Sequence, residues 1–150
     1  MKREGGEVKS NGHRAFTLLE LVIALAAVAI VAAFALPGWH AQIARGHRID
    51  AVAALYRAAQ FVDAQTASMA TLPAGLDQAP ATGRPVYRLR LMSADESNGG
   101  YAIAAEPDDA GPMRDDACGA FLLDATGARS NQAAGGIVAE TITLMCWKDR

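Results

Sequence analysis

Between Phe16 and Leu36 the chain reads FTLLELVIALAAVAIVAAFAL, 21 residues interrupted only by Thr17 and Glu20. At 1.5 Å per residue a helix of this stretch is about 31 Å long, close to the roughly 30 Å thickness of a bilayer's hydrocarbon core. The run therefore predicts a membrane-spanning helix. The chain is 51% hydrophobic overall, and that content is most concentrated in this run, leaving the remainder of the 150 residues to supply one small folding unit.

Ahead of the apolar run stands MKREGGEVKSNGHRA, with Lys2, Arg3, Lys9 and Arg14 against Glu4 and Glu7. This flank favours the cytoplasmic side, a bias moderated by Arg45 and Arg48 beyond the run. Without these fifteen residues the chain carries ten basic and fourteen acidic groups, a net charge of −4. That balance argues against a general phosphate-backbone binder. Both cysteines, Cys118 and Cys146, follow the apolar run. In an exported region, a pair with no odd thiol reads as one disulfide.

Glu20 needs an explanation, because a carboxylate near the centre of a membrane helix costs about 2.5–3.5 kcal/mol, less near an interface. One reading is a secretory signal cleaved after Ala33-Phe34-Ala35, releasing a soluble protein that begins at Leu36. It leaves Glu20 without a role. A plain signal anchor does no better, since leucine would serve at that position. A third reading cuts the chain between Ala15 and Phe16. The new α-amine of Phe16 is then a cation at the helix start, with Glu20 one turn along and near the positive end of the helix dipole. Between chains, Glu20 of one subunit could neutralise the terminal amine of its neighbour.

The junction RAFTLLELVIAL resembles the class III leader junction of type IV prepilins. In that family a hydrophilic leader ends just before Phe-Thr-Leu-hydrophobic-Glu, and a membrane-embedded prepilin peptidase cuts there and N-methylates the new phenylalanine. The resemblance implies cleavage after Ala15, methylation of Phe16 and an assembly role for Glu20. The family strongly favours glycine before the cut; Ala15 is the smallest alternative, and slower processing is expected.

Pro37-Gly38 predicts a kink or loosening of the helix, since proline lacks an N–H and glycine lowers helix propensity. The simpler alternative is that the helix stops there. Val52, Leu55, Ala59 and Val62 recur at helical spacing, with Asp50, Arg57 and Asp63 elsewhere around the cylinder, and predict an amphipathic continuation. The expected organisation is a leader at 1–15, a long helix at 16–67 and an exported β domain at 68–150. The helix divides into a transmembrane and assembly half at 16–36 and an amphipathic half at 41–67.

Residues 71–85 read as a loop. PVYRLRLM alternates Val86, Arg88 and Arg90 against Tyr87, Leu89 and Leu91; YAIAAEP places Tyr101, Ile103 and Ala105 on one face; CGAFLLD and ITLMCW supply a third and a possible fourth strand. The fold class expected is α+β: a long N-terminal helix packed on a small antiparallel sheet. A Cys118–Cys146 bridge closes a loop of about 29 residues, contributing about 3–4 kcal/mol in the chain-entropy view. DDACGAFLLDATGAR…CW and YAIAAEP extend the resemblance to type IV pilins, especially small minor pilins of the PilE and ComP-like group.

Catalytic chemistry finds little support. His40 and His47 are two turns apart on the helix with no cysteine nearby, so no shared metal is expected. Asp108, Asp109, Asp115 and Asp116 lack EF-hand spacing and read as solvated loop charges. Asp124-Ala125-Thr126-Gly127 is a turn signal. No enzyme activity, cofactor or metal is expected. Arg84, Arg88 and Arg90 could form a basic DNA-binding surface, as in ComP-like pilins; a solvent face paired with Asp95 and Glu96 is favoured, given the acidic balance. Trp39 reads as an interfacial aromatic and Trp147 as a plug beside the disulfide.

The reading is a type IV pilin-like subunit, most like a minor pilin, serving pilus assembly and, through the pilus, processes such as cell motility. It is made in the inner membrane with its C-terminal part exported, then transferred to an extracellular filament. The implied partners are other pilin subunits, the prepilin peptidase, the inner-membrane assembly platform and, before assembly, lipid; DNA is possible but disfavoured. Alternatives are a secretion pseudopilin, a DNA-binding receptor pilin, or a secreted module cut after Ala35. N-terminal sequencing of the mature protein separates them: methyl-Phe16 is expected, whereas Leu36 would establish the secreted module.

Overall fold

A computed structural model describes residues 16–65, 70–133 and 135–148, the side chains of Leu36 and Pro37 excepted. The expected leader, with Ala15, and the expected helix end at Ala67 lie outside the described residues. The elements are a long helix α1 (Leu18–Asp63), strands β1 (Gln78–Ala79), β2 (Tyr87–Met92), β3 (Ala102–Pro107), β4 (Ala120–Asp124), β5 (Arg129–Ala133) and β6 (Gly136–Ile137), and a short helix α2 (Glu140–Trp147). By its contacts the chain forms two units, residues 1–39 and 40–150.

In the first unit, α1 begins with a side-chain cap. The Glu20 backbone N–H donates to Thr17 Oγ1 at 3.1 Å, satisfying one of the helix's otherwise unpaired N-terminal donors, and Glu20 itself sits in the first turn. Thr17 followed three residues later by Glu20 is the sequence pattern of a capping box. The helix contains a window of mean hydropathy 2.7, long and apolar enough to cross a membrane by length and composition, and none of that window is buried. Phe16, Leu18, Leu25 and Phe34 are all more than half exposed. The helical assignment runs on through Pro37 and Gly38, so the alternative of a helix ending there does not hold.

In the second unit, the remainder of α1 packs on a six-stranded antiparallel sheet in the order β1-β2-β3-β4-β5-β6. The expected stripe is displaced around the helix. Ala51, Ala54, Leu55, Ala58 and Ala59 are buried, while Val52 and Val62 are only half-buried at its edge. The buried residues recur at i, i+3, i+4, i+7 and i+8, four alanines around Leu55, a helical face that meets the sheet through small side chains and one large one.

Strand β2 keeps its expected alternation: Tyr87 and Leu89 are buried and Leu91 is half-buried, with Arg88 and Arg90 outside. Strand β3 does not alternate; Ala102, Ile103, Ala104 and Ala105 are all buried. Its register explains this, because Ala104 lies between Arg90 on β2 and Leu122 on β4, on the same face of the sheet. A methyl between two longer neighbours is shielded on the face that does not meet the helix. Tyr87, Phe121, Leu55 and Ile103 are fully buried, and the Tyr87 and Phe121 rings meet edge to face at 6.0 Å. Each such side chain contributes about 1.5–3 kcal/mol on burial.

The expected strand ITLMCW is instead helix α2. Thr141, Ile142 and Thr143 favour strand by propensity, but burial falls on Thr143 and Cys146, three apart, with Trp147 half-buried beside them. That spacing is a helical face. The partner strand of β4 is β5, RSNQA, whose inward residue is Asn131. Its Nδ2 donates to Cys118 O at 2.8 Å and Ala120 O at 3.3 Å, and its Oδ1 accepts from Trp147 Nε1 at 2.8 Å. A buried amide so satisfied replaces the apolar residue that a strand pattern would display.

Cys118 and Cys146 form a disulfide with Cα atoms 5.8 Å apart. Close by, Gly119 adopts φ +56°, and a Cβ there would meet Gln132 O at 2.3 Å. The loop crosses β5 backbone to backbone, and only glycine fits. Replacing both cysteines by serine is expected to lower unfolding stability by about 3–4 kcal/mol. Hydrogen exchange should show α2 amides losing protection before those of β2–β4; simultaneous loss everywhere would contradict a local staple.

Candidate functional site

Two surfaces carry the chain's functional possibilities, and each belongs to one unit. In the first, residues 18–35 offer aliphatic side chains around the whole circumference of α1, and the described acid among them is Glu20. Phe16 is 80% exposed. Trp39, at 66% exposure, stands just past the apolar run. Such a surface is unsuited to water and suited to lipid or to other apolar helices.

The second unit presents charge. Arg88 Nε donates to Asp108 Oδ2 at 2.7 Å, Arg90 pairs with Glu106, and Arg84 Nη2 donates to the Ala110 carbonyl at 3.3 Å. The expected partners Asp95 and Glu96 are thus replaced by residues on and just after β3. The register gives the reason: Arg88 faces Glu106 and Arg90 faces Ala104, so each guanidinium reaches diagonally across the ladder to the next acid. The Arg88 guanidinium beside Asp108, aided by the Ala110 N–H, holds that carboxyl below its ordinary range. Asp95 caps its own turn, accepting from Ser97 and Asn98.

Three of the four loop aspartates are separated by arginine partners. Asp108 takes Arg88, Asp115 takes Arg114 at 2.9 Å, and Asp116 takes Arg48 on α1. Among the described residues no group of three His, Cys, Asp or Glu side chains stands close enough to hold a metal. Asp124 Oδ1 accepts from Thr126 N, Thr126 Oγ1 and Ala128 N, forming the turn into β5. Burial tends to raise its carboxyl, but these hydrogen bonds outweigh it and pull it below the ordinary range. His40 is exposed and His47 half-buried.

Sequence reasoning missed two constellations. Arg48 Nη2 and Nε meet Asp116 Oδ1 and Oδ2 at 2.6 and 3.1 Å, a bidentate pair whose side chains are 23% and 10% exposed. Asp116 Oδ2 also accepts from Cys118 N at 3.2 Å. One carboxylate thereby ties the loop before the disulfide to α1. Nearby, burial and then the Asp116 charge push the Tyr87 hydroxyl well above its ordinary range, with Arg48 opposing.

The other constellation centres on Arg129. Its guanidinium carbon lies 5.7 Å from the Tyr56 ring centroid and 5.5 Å from that of Trp147. Trp147 is fixed from behind by Phe121, edge to face at 5.5 Å, and by its hydrogen bond to Asn131. Beside Arg129 runs a 240 Å³ cleft between α1 and Trp147, lined on the helix side by Arg48, Ile49, Val52, Ala53 and Tyr56. No spacing in the sequence joins residues 56, 129 and 147; only the disulfide-anchored α2 brings them together.

Residues 37–122, more than half of the chain, match the family described as type IV minor pilin ComP, DNA uptake sequence receptor. Residues 10–36 match the prokaryotic N-terminal methylation motif. A search of curated proteins gave no match. The family match spans the middle of the chain as well as the amphipathic half of α1, and stops before β5, α2 and Cys146.

Asp116→Asn keeps the side-chain volume and one acceptor while removing the charge. The pair lies between an exposed salt bridge, worth up to about 1 kcal/mol, and a buried one, whose breakage costs about 3–5 kcal/mol. A loss of about 1–3 kcal/mol in chemical denaturation is expected; an unchanged midpoint would show that the pair does not clamp the loop.

Proposed function

This chain belongs to the family of type IV minor pilin ComP, and from that premise we propose that it is a pilus-borne subunit that takes up duplex DNA from outside the cell. The observation that carries the assembly half is the fully uncovered apolar helix, with an acid in its first turn and a matching N-terminal methylation motif. In this reading the prepilin peptidase cuts between Ala15 and Phe16 and methylates Phe16. The helix first lies in the inner membrane with its C-terminal part exported. It then exchanges lipid for the helices of other pilin subunits at the assembly platform, and the subunit leaves the membrane for the pilus.

Glu20 has two duties in this scheme. Its position in the first turn favours the helix through the dipole and, with Thr17, through the cap. Its carboxylate is the counter-charge for the Phe16 amine of a neighbouring subunit once water is excluded. Pro37 and Gly38 supply the place where the helix loosens during assembly, because Pro37 has no N–H to donate to the i−4 carbonyl.

The DNA half comes from the family's description, and it reverses the ranking drawn from net charge. Net charge governs the far field, but a phosphate is held by cations within a Debye length of about 8–10 Å. Several acids counted against DNA are already committed to arginines, as Asp108, Glu106, Asp115 and Asp116 are. No part of this function requires catalysis.

The Glu20→Ala variant is expected to insert in the membrane at normal levels yet be lost from sheared filaments. Wild-type filaments are expected to retain duplex DNA in a manner that fades as salt rises. Undiminished incorporation of the variant would refute the assembly role of Glu20. Filaments that retain no DNA at low salt would refute uptake.

A further inference from the structure

We propose that Arg129, held between Tyr56 and Trp147, is the residue that grips DNA. This rests on the DNA reading above and goes beyond it, since β5 and Trp147 lie outside the residues that match the family. The sequence directs attention to Arg84, Arg88 and Arg90, but Arg88 and Arg90 are each paired with a carboxylate and Arg84 is tied to a carbonyl. A phosphate approaching that face meets Asp108 and Glu106 as closely as it meets the arginines.

Arg129 differs in three ways. It is exposed, and among the described residues it makes neither an ion pair nor a hydrogen bond, so all its donors are open to a ligand. Its position is set by two rings at 5.7 and 5.5 Å, which attract the cation without consuming a donor. The rings are themselves anchored, Tyr56 on α1 and Trp147 by Phe121 and Asn131. A planar guanidinium placed in advance loses less freedom on forming a bidentate contact. Arg57 also lacks an ion pair among the described residues, but no ring holds it in place.

The apolar cleft beside Arg129 strengthens the contact. Ile49, Val52 and Ala53 border it, and these side chains cannot compete for an anion. The ligand chemistry is an acceptor pair matching the guanidinium fork, supplied either by phosphate oxygens or by the O6 and N7 edge of guanine.

The test uses the full-length chain in uncharged detergent micelles, with fluorescence anisotropy of duplex DNA over a range of salt. Arg129→Ala is expected to weaken binding about 5- to 100-fold at low salt and, if phosphate is the ligand, to flatten the salt slope by about one. Arg129→Lys should recover only part of the loss, because lysine keeps the charge without the fork. Arg88→Ala removes the same charge from the paired face and is expected to change affinity less than Arg129→Ala does. A loss uniform across sequences identifies phosphate; a loss confined to duplexes carrying guanine at one position identifies the base edge; either supports the proposal. Equal losses for the Arg129 and Arg88 variants would mean bulk charge alone and would overturn it. So would wild-type binding that Arg129→Ala leaves unchanged, with DNA uptake standing. Absence of wild-type binding at every salt concentration would remove the DNA reading and this inference together.

Discussion

A single helix in this chain must satisfy two solvents. Over residues 18–35, α1 is aliphatic around its circumference and uncovered, whereas Ala51, Ala54, Leu55 and Ala58 on the same helix are buried against a sheet. The first stretch cannot rest in water; the second cannot rest in lipid, because Asp50, Arg57 and Asp63 are exposed along it. In the proposed function both conditions are met, the first stretch serving membrane and filament and the second forming the spine of the sheet-bearing unit. Thr17 Oγ1 caps the helix at the Glu20 N–H, and the Glu20 carboxylate stands in the first turn, where the helix dipole favours an acid even before a neighbour is present.

The second unit is held together by polar and covalent ties as much as by apolar burial. The Cys118–Cys146 disulfide, Asn131 and Trp147 form one connected assembly: Asn131 accepts from Trp147 and donates to the carbonyls of Cys118 and Ala120. Arg48 and Asp116 add a charged tie from α1 to the loop leading into the disulfide. These contacts fix a short helix that eight residues could not sustain alone. They also fix the Trp147 ring, and through it the guanidinium of Arg129. Structure near the C-terminus therefore connects directly to the proposed contact with DNA.

Charge illustrates how composition and geometry part company. The chain carries a formal charge of −2, and its basic residues along β2 look from the sequence like an open cationic stripe. In three dimensions that stripe is closed by acids reached diagonally across the ladder, and the less conspicuous Arg129 remains available. An isolated cation on an acidic domain is effective only at short range, where screening and distant charges matter little.

The apolar run, the pairing of two cysteines and the alternation of β2 were all legible in the residues, because each is a local property: hydropathy, parity of thiols and a period of two. Strand β5 and helix α2 were not. RSNQA hides its inward residue because Asn131 is satisfied by groups from other parts of the chain, and ETITLMCW favours strand locally but is bent into a helix by Cys146 and by the contacts of Trp147. The Arg48–Asp116 pair spans 68 residues of sequence, and the Arg129 cradle draws on three separate elements. The sequence by itself determined that this chain has a membrane-compatible helix and a small stapled domain, since both follow from which residues flee water. Tertiary structure alone decided which cations are neutralised and which are presented, since that depends on distances of a few ångströms between groups far apart along the chain.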